Sequence, residues 1–489
     1  MRRYALLALT AIFFLSFAAS ADETLHDRRH DRNPPLAEPV KPAPVADFDI
    51  RNIQGFSVYI AKKALADHPE EMADVLKHLR SQLYQTRITL PAPAVAIMQE
   101  RVPIWVDWEN GSHTAFHPRA GWLLERGFAS PEGLKSLVSF GYTKSFCKGC
   151  YHQPWVACHE LVHGYDFLYL GRGHGYSNER MRQAYKRLKE SGIYDAVLCR
   201  YSPATHHYAL SNPMEYLAES TEAYFGTNDF YPFVRAELKD YDPKMYDLLQ
   251  DLWGVDVKRQ DRDERDLAVR IDAQSKSETE PAILTSAEYV TREIEGFTVE
   301  VAAELIDKKA RGDALCQLLW HKLHLVTRYV PEASLEKLRE IPIRLEAEPD
   351  VPFFPYVAYE TASDSENEKG IVRIIDPTSF ERWQAIQPCE LLKQFARAYY
   401  ACHLTDADRE RIGKSLHTAA ESEKYDKVLR FDGQKVRHPA LADPASYFAE
   451  LTVAYYGVSD HFPFLQFETR RHDEAACRLL SDLWGGRAK

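Results

Sequence analysis

The chain has 489 residues, 45% of them hydrophobic and 27% charged, and a formal net charge of −11 at pH 7. That length and apolar content are ordinary for a soluble globular protein with more than one packed domain. The acidic balance argues against binding nucleic acid through its phosphates, and eight cysteines are too few for a disulfide-dense scaffold at this length.

In chain order, Arg2 and Arg3 precede an almost wholly apolar run, Tyr4 to Phe17, and then Ala19-Ser20-Ala21. This pattern predicts a signal peptide cleaved after Ala21, hence a secreted or periplasmic protein. The apolar run is short for a membrane span, and no later stretch approaches spanning length. Residues 22–46 are charged and then Pro-rich, which predicts an extended leader. A first domain is expected over 47–256. Val75, Leu76, Leu79 and Leu83 recur at helical spacing within Met72 to Tyr84. Ile104-Trp105-Val106 reads as a short strand. Cys147-Lys-Gly-Cys150 has half the spacing of a zinc knuckle without a second pair, so it reads as a local disulfide or as a partner for Cys199. Pro154 opens a helix over Trp155 to Leu170, and Asn212 caps another over Met214 to Phe225. Residues 257–290 are densely charged, which fits a linker or an exposed helix.

Beyond that stretch the chain repeats itself over 291–486. Ile53-Gln-Gly-Phe returns as Ile294-Glu-Gly-Phe, and Val102-Pro-Ile returns as Ile341-Pro-Ile. Half the positions of Asn212 to Phe233 recur in Asp443 to Phe464, and both copies close on Asp-Leu-Trp-Gly. The period is far too long for a solenoid and suits a duplicated domain of about 200 residues. The expected fold class is therefore α+β, helix-rich, as a tandem duplication.

His159-Glu160-Leu161-Val162-His163 is an HExxH motif. On a helix its two imidazoles share a face and can reach one ion, while Glu160 sits beside them. A hydrolytic zinc site needs a third protein ligand and an open position for water. Glu215 and Glu219, again four apart, offer one carboxylate as ligand and a second to accept the N–H of a ligating imidazole. The second copy keeps Glu450 opposite Glu219. It puts Ser446 opposite Glu215, and Lys393, Gln394 and Arg397 opposite His159, Glu160 and His163. Loss of the whole set together predicts one zinc ion per chain, held by the first copy, and a degenerate, metal-free second copy.

HExxH followed on the next helix by Asn-x-x-Glu-aromatic-x-Ala-Glu resembles the gluzincin metallopeptidases, most closely the catalytic domain of anthrax lethal factor and related exported bacterial proteins. The likeness covers about Phe48 to Gly254 and is specific around His159 and Glu215. It implies a zincin-like metallopeptidase domain with Glu215 as zinc ligand and Glu219 in the outer layer. It also implies Tyr208, seven residues before Glu215, as the oxyanion-stabilising tyrosine. Gly164 departs from the pattern, since the relatives tend to carry Ala there; a glycine is expected to loosen the helix end.

The expected chemistry is zinc-assisted amide hydrolysis, with Glu160 as general base and Tyr208 opposite the developing oxyanion. The favoured substrate is a peptide or protein. Two other readings stay open: a zinc amidase on a non-peptide or cell-wall amide, and an inert extracellular binding scaffold. Intact Glu160 and Tyr208 speak against the last. His206 and His207 are candidates to orient substrate or to be solvated. His174 has no evident partner, and Asp166 reads either as an outer carboxylate of the site or as a helix-end acid. The nearby aromatics Tyr216, Tyr224, Phe225, Phe230, Tyr231 and Phe233 read mostly as core.

Overall fold

The computed structural model describes residues 35–108, 114–141, 146, 153–172, 175–200, 204–274, 288–361 and 369–486. The predicted signal peptide, the leader up to 34, Cys147, Cys150 and His174 lie outside the described residues. The fold is α+β and helix-rich, and it packs as two compact units. One unit runs up to Gly192 and takes in Tyr208–Glu219; the other comprises Ile193–His207 and the chain from Ser220 onward.

The first unit is built on strands β1 (Phe48–Ile53), β2 (Phe56–Ala61), β3 (Ile104–Val106), β4 (Thr114–His117) and β5 (Leu137–Phe140), in the order β1-β2-β3-β5-β4. β1 and β2 form an antiparallel hairpin with Ile53 opposite Phe56. The two turn residues, Gln54 and Gly55, have φ of 56° and 91°, the left-handed pair that a two-residue hairpin requires. β2, β3 and β5 pair in parallel, and β4 closes the edge antiparallel to β5. Phe56, Val58 and Ile60 alternate inward on β2, whereas all three residues of β3 are buried, as a strand with parallel neighbours on both sides demands.

Helix α1 (Pro69–Thr89) starts on proline, carries Glu70 and Glu71 in its first turn, and buries Val75, Leu76, Leu79 and Leu83 as their spacing predicts. α2 (Ala92–Arg101) leads into β3. α3 (Val156–Tyr165) is buried along its whole length and continues as a π-helical turn over Asp166–Leu170. α4 (Glu179–Ser191) is capped by Asn178. α5 (Pro213–Phe225) has its first turn capped by Asn212, whose Oδ1 accepts the N–H groups of Met214 and Glu215, both at 2.9 Å.

In the second unit, α6 (Arg235–Tyr241) and α7 (Pro243–Trp253) follow, and α8 (Val257–Gln274) occupies most of the charged stretch. Over 257–274 that stretch is a helix whose buried residues are Glu264, Leu267 and Ala268. The second sheet comprises β6 (Tyr289–Ile294), β7 (Phe297–Ala302), β8 (Ile343–Leu345), β9 (Val357–Glu360) and β10 (Ile371–Ile374), in the order β6-β7-β8-β10-β9. Its pairing directions are those of the first sheet, strand for strand. Around it lie α9 (Lys309–Tyr329), α10 (Glu390–His403), α11 (Asp406–Glu421), α12 (Pro444–Tyr456), α13 (Gln466–His472) and α14 (Glu474–Trp484). The Trp253 indole N–H donates to Thr221 Oγ1 at 3.1 Å and that of Trp484 to Thr452 Oγ1 at 3.0 Å, at equivalent places in the repeat. No helix among the described residues is long and apolar enough to cross a membrane.

Candidate metal centre

α3 begins on a capped N–H: the amide of Ala157 donates to Gln82 Oε1 of α1 at 2.9 Å. That bond fixes the start of the helix that carries His159, Glu160 and His163. All three side chains are buried. The helix approaches its neighbours closely at Gly164, where a Cβ would lie 2.8 and 3.0 Å from the Val102 methyls and 3.3 Å from the Phe116 ring. Gly164 thus serves close packing of the helix, which stays α-helical through Tyr165 and becomes π-helical from Asp166.

The first turn of α5 supplies Glu215. Its Oε2 lies 3.1 Å from His159 Nε2 and 3.3 Å from His163 Nε2. The ligand atoms of these three residues all lie within 4.8 Å of one another, and no other His, Cys, Asp or Glu group among the described residues converges in this way. Ligands on a tetrahedral zinc with bonds of about 2.0–2.1 Å stand about 3.3 Å apart. Two imidazoles and one carboxylate are donor types that a divalent metal ion could take. Burial works against ionisation of Glu215, but the two imidazoles outweigh it and hold the carboxyl well below its usual range. Glu219, one turn on and 1% exposed, places Oε1 3.8 Å from His159 Nδ1. His159 therefore faces a carboxylate at each ring nitrogen.

Glu160 is held differently. Its Oε2 accepts the backbone N–H of Phe116 on edge strand β4 at 2.6 Å. Burial, the largest influence, raises its carboxyl above the usual range, while the His159 and His163 imidazoles pull it down. Tyr208 stands half-buried on a 3-10 turn, Tyr208–Leu210, that leads into α5. The carbonyl of Leu210 accepts the Tyr185 hydroxyl at 2.5 Å, tying that turn to α4.

Asp166, already a candidate, and Tyr176, a new one, interact electrostatically with this group. Asp166 is 3% exposed, one turn beyond His163, and burial pushes its carboxyl up to about 6 against the pull of His163. It is a buried acid at the end of the α-helical stretch. Tyr176 had no spacing signal to find it; its ring meets Phe167 at 5.1 Å. Burial, followed by the negative charge of Asp166, Glu160 and Glu215, keeps its phenol protonated far above neutral pH. The two loop histidines divide: His206 is exposed, whereas His207 is buried between the rings of Tyr194 and Phe230, at 4.4 and 5.0 Å. Burial depresses His207 to about 3, so it is a neutral core group. Tyr216, Tyr224 and Phe233 are core residues as expected.

At the matching position of the sequence repeat, Gln394 Oε1 accepts the Tyr359 N–H at 3.1 Å, as Glu160 Oε2 accepts that of Phe116. Lys393 lies 2.6 Å from Glu390 and 3.5 Å from Glu450, and Arg397 donates to Ser446 Oγ at 3.1 Å. Burial disfavours the Lys393 charge, but Glu390 and Glu450 more than restore it. Lys393 and Arg397 thus stand at the repeat positions that match His159 and His163.

Comparison of the chain with protein-family models, with curated proteins and with solved structures gave no match.

Proposed function

We propose that the protein is an exported zinc-dependent hydrolase that cleaves amide bonds, most readily those of peptides. The observation that carries this reading is the convergence of His159 and His163 on α3 with Glu215 on α5, and the Glu160 carboxylate buried on α3 beside the two histidines. A zinc ion held by that set would acidify water at its open position and polarise a substrate carbonyl. Glu160, oriented through the Phe116 N–H and raised by burial, takes the proton from the attacking water and passes it to the leaving amine. Glu219 orients His159, and Tyr208 is assigned to the developing oxyanion. The second copy, with Lys393, Gln394, Arg397 and Ser446 at these positions, is assigned no metal and no chemistry.

Elemental analysis of residues 22–489 tests the reading, beside Glu215→Ala and a double His159→Ala, His163→Ala variant. About one zinc per chain is expected in the parent and little in either variant, as a three-ligand site implies. Glu160→Gln should keep its metal and lose about 10²–10⁴-fold in turnover on a peptide library. Zinc absent after zinc-replete purification, or unchanged in the variants, overturns the assignment.

A further inference from the structure

Away from the His159 site, two carboxyls are buried against each other. Glu237 on α6 and Glu468 on α13 occupy equivalent places in the sequence repeat, and are 2% and 4% exposed. Each is tied to the backbone just ahead of its own helix. Glu237 Oε2 accepts the Phe233 N–H at 2.9 Å, and Glu468 Oε2 accepts those of Phe464 and Leu465 at 2.9 and 3.1 Å. Phe233, Val234, Ala236, Phe464 and Leu465 form one apolar cluster around them, and the Phe233 and Phe467 rings meet edge to face at 4.7 Å. The two carboxyls also hydrogen-bond to each other. Two carboxylates cannot do so without a proton between them, and like charges enclosed in an apolar cluster cannot both ionise cheaply.

No Lys, Arg or His among the described residues stands within ion-pair distance of either carboxyl. The charged and titratable groups around them are few. Tyr231, Asp240 and Tyr241 lie on the α6 side. Arg471 and His472 close α13 and line, with Glu468, Tyr231 and Tyr241, a cavity of about 540 Å³. Arg200 lies over the Phe467 ring at 5.6 Å, and Arg235 is taken by Glu264 at 2.7 Å. None of these stands in for the shared proton, and Glu468 lines the cavity while remaining 4% exposed.

We infer that Glu237 and Glu468 form a proton-held latch that joins α6 to α13 in acidic to neutral medium and releases them as the medium becomes alkaline. The sign follows from the direction of the shifts. Burial lifts Glu237 from 4.5 to about 7 and Glu468 well above its ordinary value, so the folded pair holds protons that the unfolded chain gives up. The contribution is whole below about pH 4.5 and is lost as pH rises through about 7. The latch does not depend on the metal centre or on any hydrolytic activity.

Hydrogen exchange of the full chain, corrected for intrinsic rates, tests the latch between pH 5 and 9. The opening equilibrium of α6 and α13 should rise about a hundredfold across that range in the parent. In Glu237→Gln, where the amide donates to Glu468 at every pH, the rise should vanish. Glu468→Gln reverses donor and acceptor and should behave alike, which covers failure of one variant to fold. In the parent, ¹³C-carboxyl NMR reads the proton itself. One glutamate carbon that titrates near neutrality supports the latch. Two that titrate near pH 4, or a parent as flat as the Gln variants, overturn it.

Discussion

A carboxylate 3.8 Å from an imidazole nitrogen adds little stability by itself, but at Glu219 it favours, through its charge, a proton on the facing nitrogen of His159 once a metal occupies the other. In the tautomer with Nδ1–H toward Glu219, the Nε2 lone pair would face Glu215 Oε2, 3.1 Å away, where an ion would sit. Glu219→Gln keeps the size of the side chain and can present a donor to Nδ1, which favours the opposite tautomer. The expected result is a folded protein whose metal affinity falls about 10–100-fold, read by competition with a chromogenic chelator. An affinity equal to the parent's would remove Glu219 from the site. The Glu215/Glu219 pair was legible because two residues four apart on a helix share a face. The bond from Phe116 to Glu160 and that from Ala157 to Gln82 were not. They join residues 44 and 75 positions apart, and a backbone amide leaves no mark in the side-chain pattern. Tyr176 was missed for a related reason, since a lone aromatic after a turn has no period to betray it.

At the scale of the element, α3 shows how tightly the chemistry is tied to packing. Its helical spacing predicted a single helix to Leu170, and the chain instead widens into a π turn at Asp166, a change that sits one residue past the last α-helical position, Tyr165. Hydrophobic periodicity reports which face is buried, not the hydrogen-bond register, so this shift was invisible from residue types. The Gly164→Ala change makes the point measurable. In an open helix it would stabilise by about 1 kcal/mol. Here the new Cβ meets the Val102 methyls at 2.8 and 3.0 Å and the Phe116 ring at 3.3 Å. Overpacking of that kind costs about 1–3 kcal/mol, so a net loss in urea unfolding is expected. Val102→Ala in the same chain should recover part of it, since the two changes share one contact. Because Phe116 also holds Glu160, the single variant should lose turnover as well. A stabilised Gly164→Ala protein would mean that the helix and β4 are not held as described.

At the scale of the whole molecule, the repeat was the most legible feature and its packing the least. Matched segments such as Ile53 to Phe56 and Ile294 to Phe297 both become hairpin turns, and the two sheets share an order and pairing directions. The compact units nonetheless divide the chain at Gly192, His207 and Glu219 rather than at the charged stretch, because apolar contacts made far along the chain set unit boundaries and composition does not report them. This division bears on the proposed metal. His159, His163 and Glu215 all belong to the unit that ends with Glu219. An ion that binds only folded ligands stabilises the structure that carries them, by about 4 kcal/mol at a thousandfold excess over its dissociation constant. Removal of the ion by a chelator should therefore raise hydrogen exchange in α3 and the first turn of α5, along with β4, which Glu160 ties to α3. The β6–β10 sheet, whose copy of the site holds Lys393 between Glu390 and Glu450, has no such ligand to lose and should keep its protection. Equal loosening of both sheets on chelation would place the ion, or its effect, somewhere other than the His159 site.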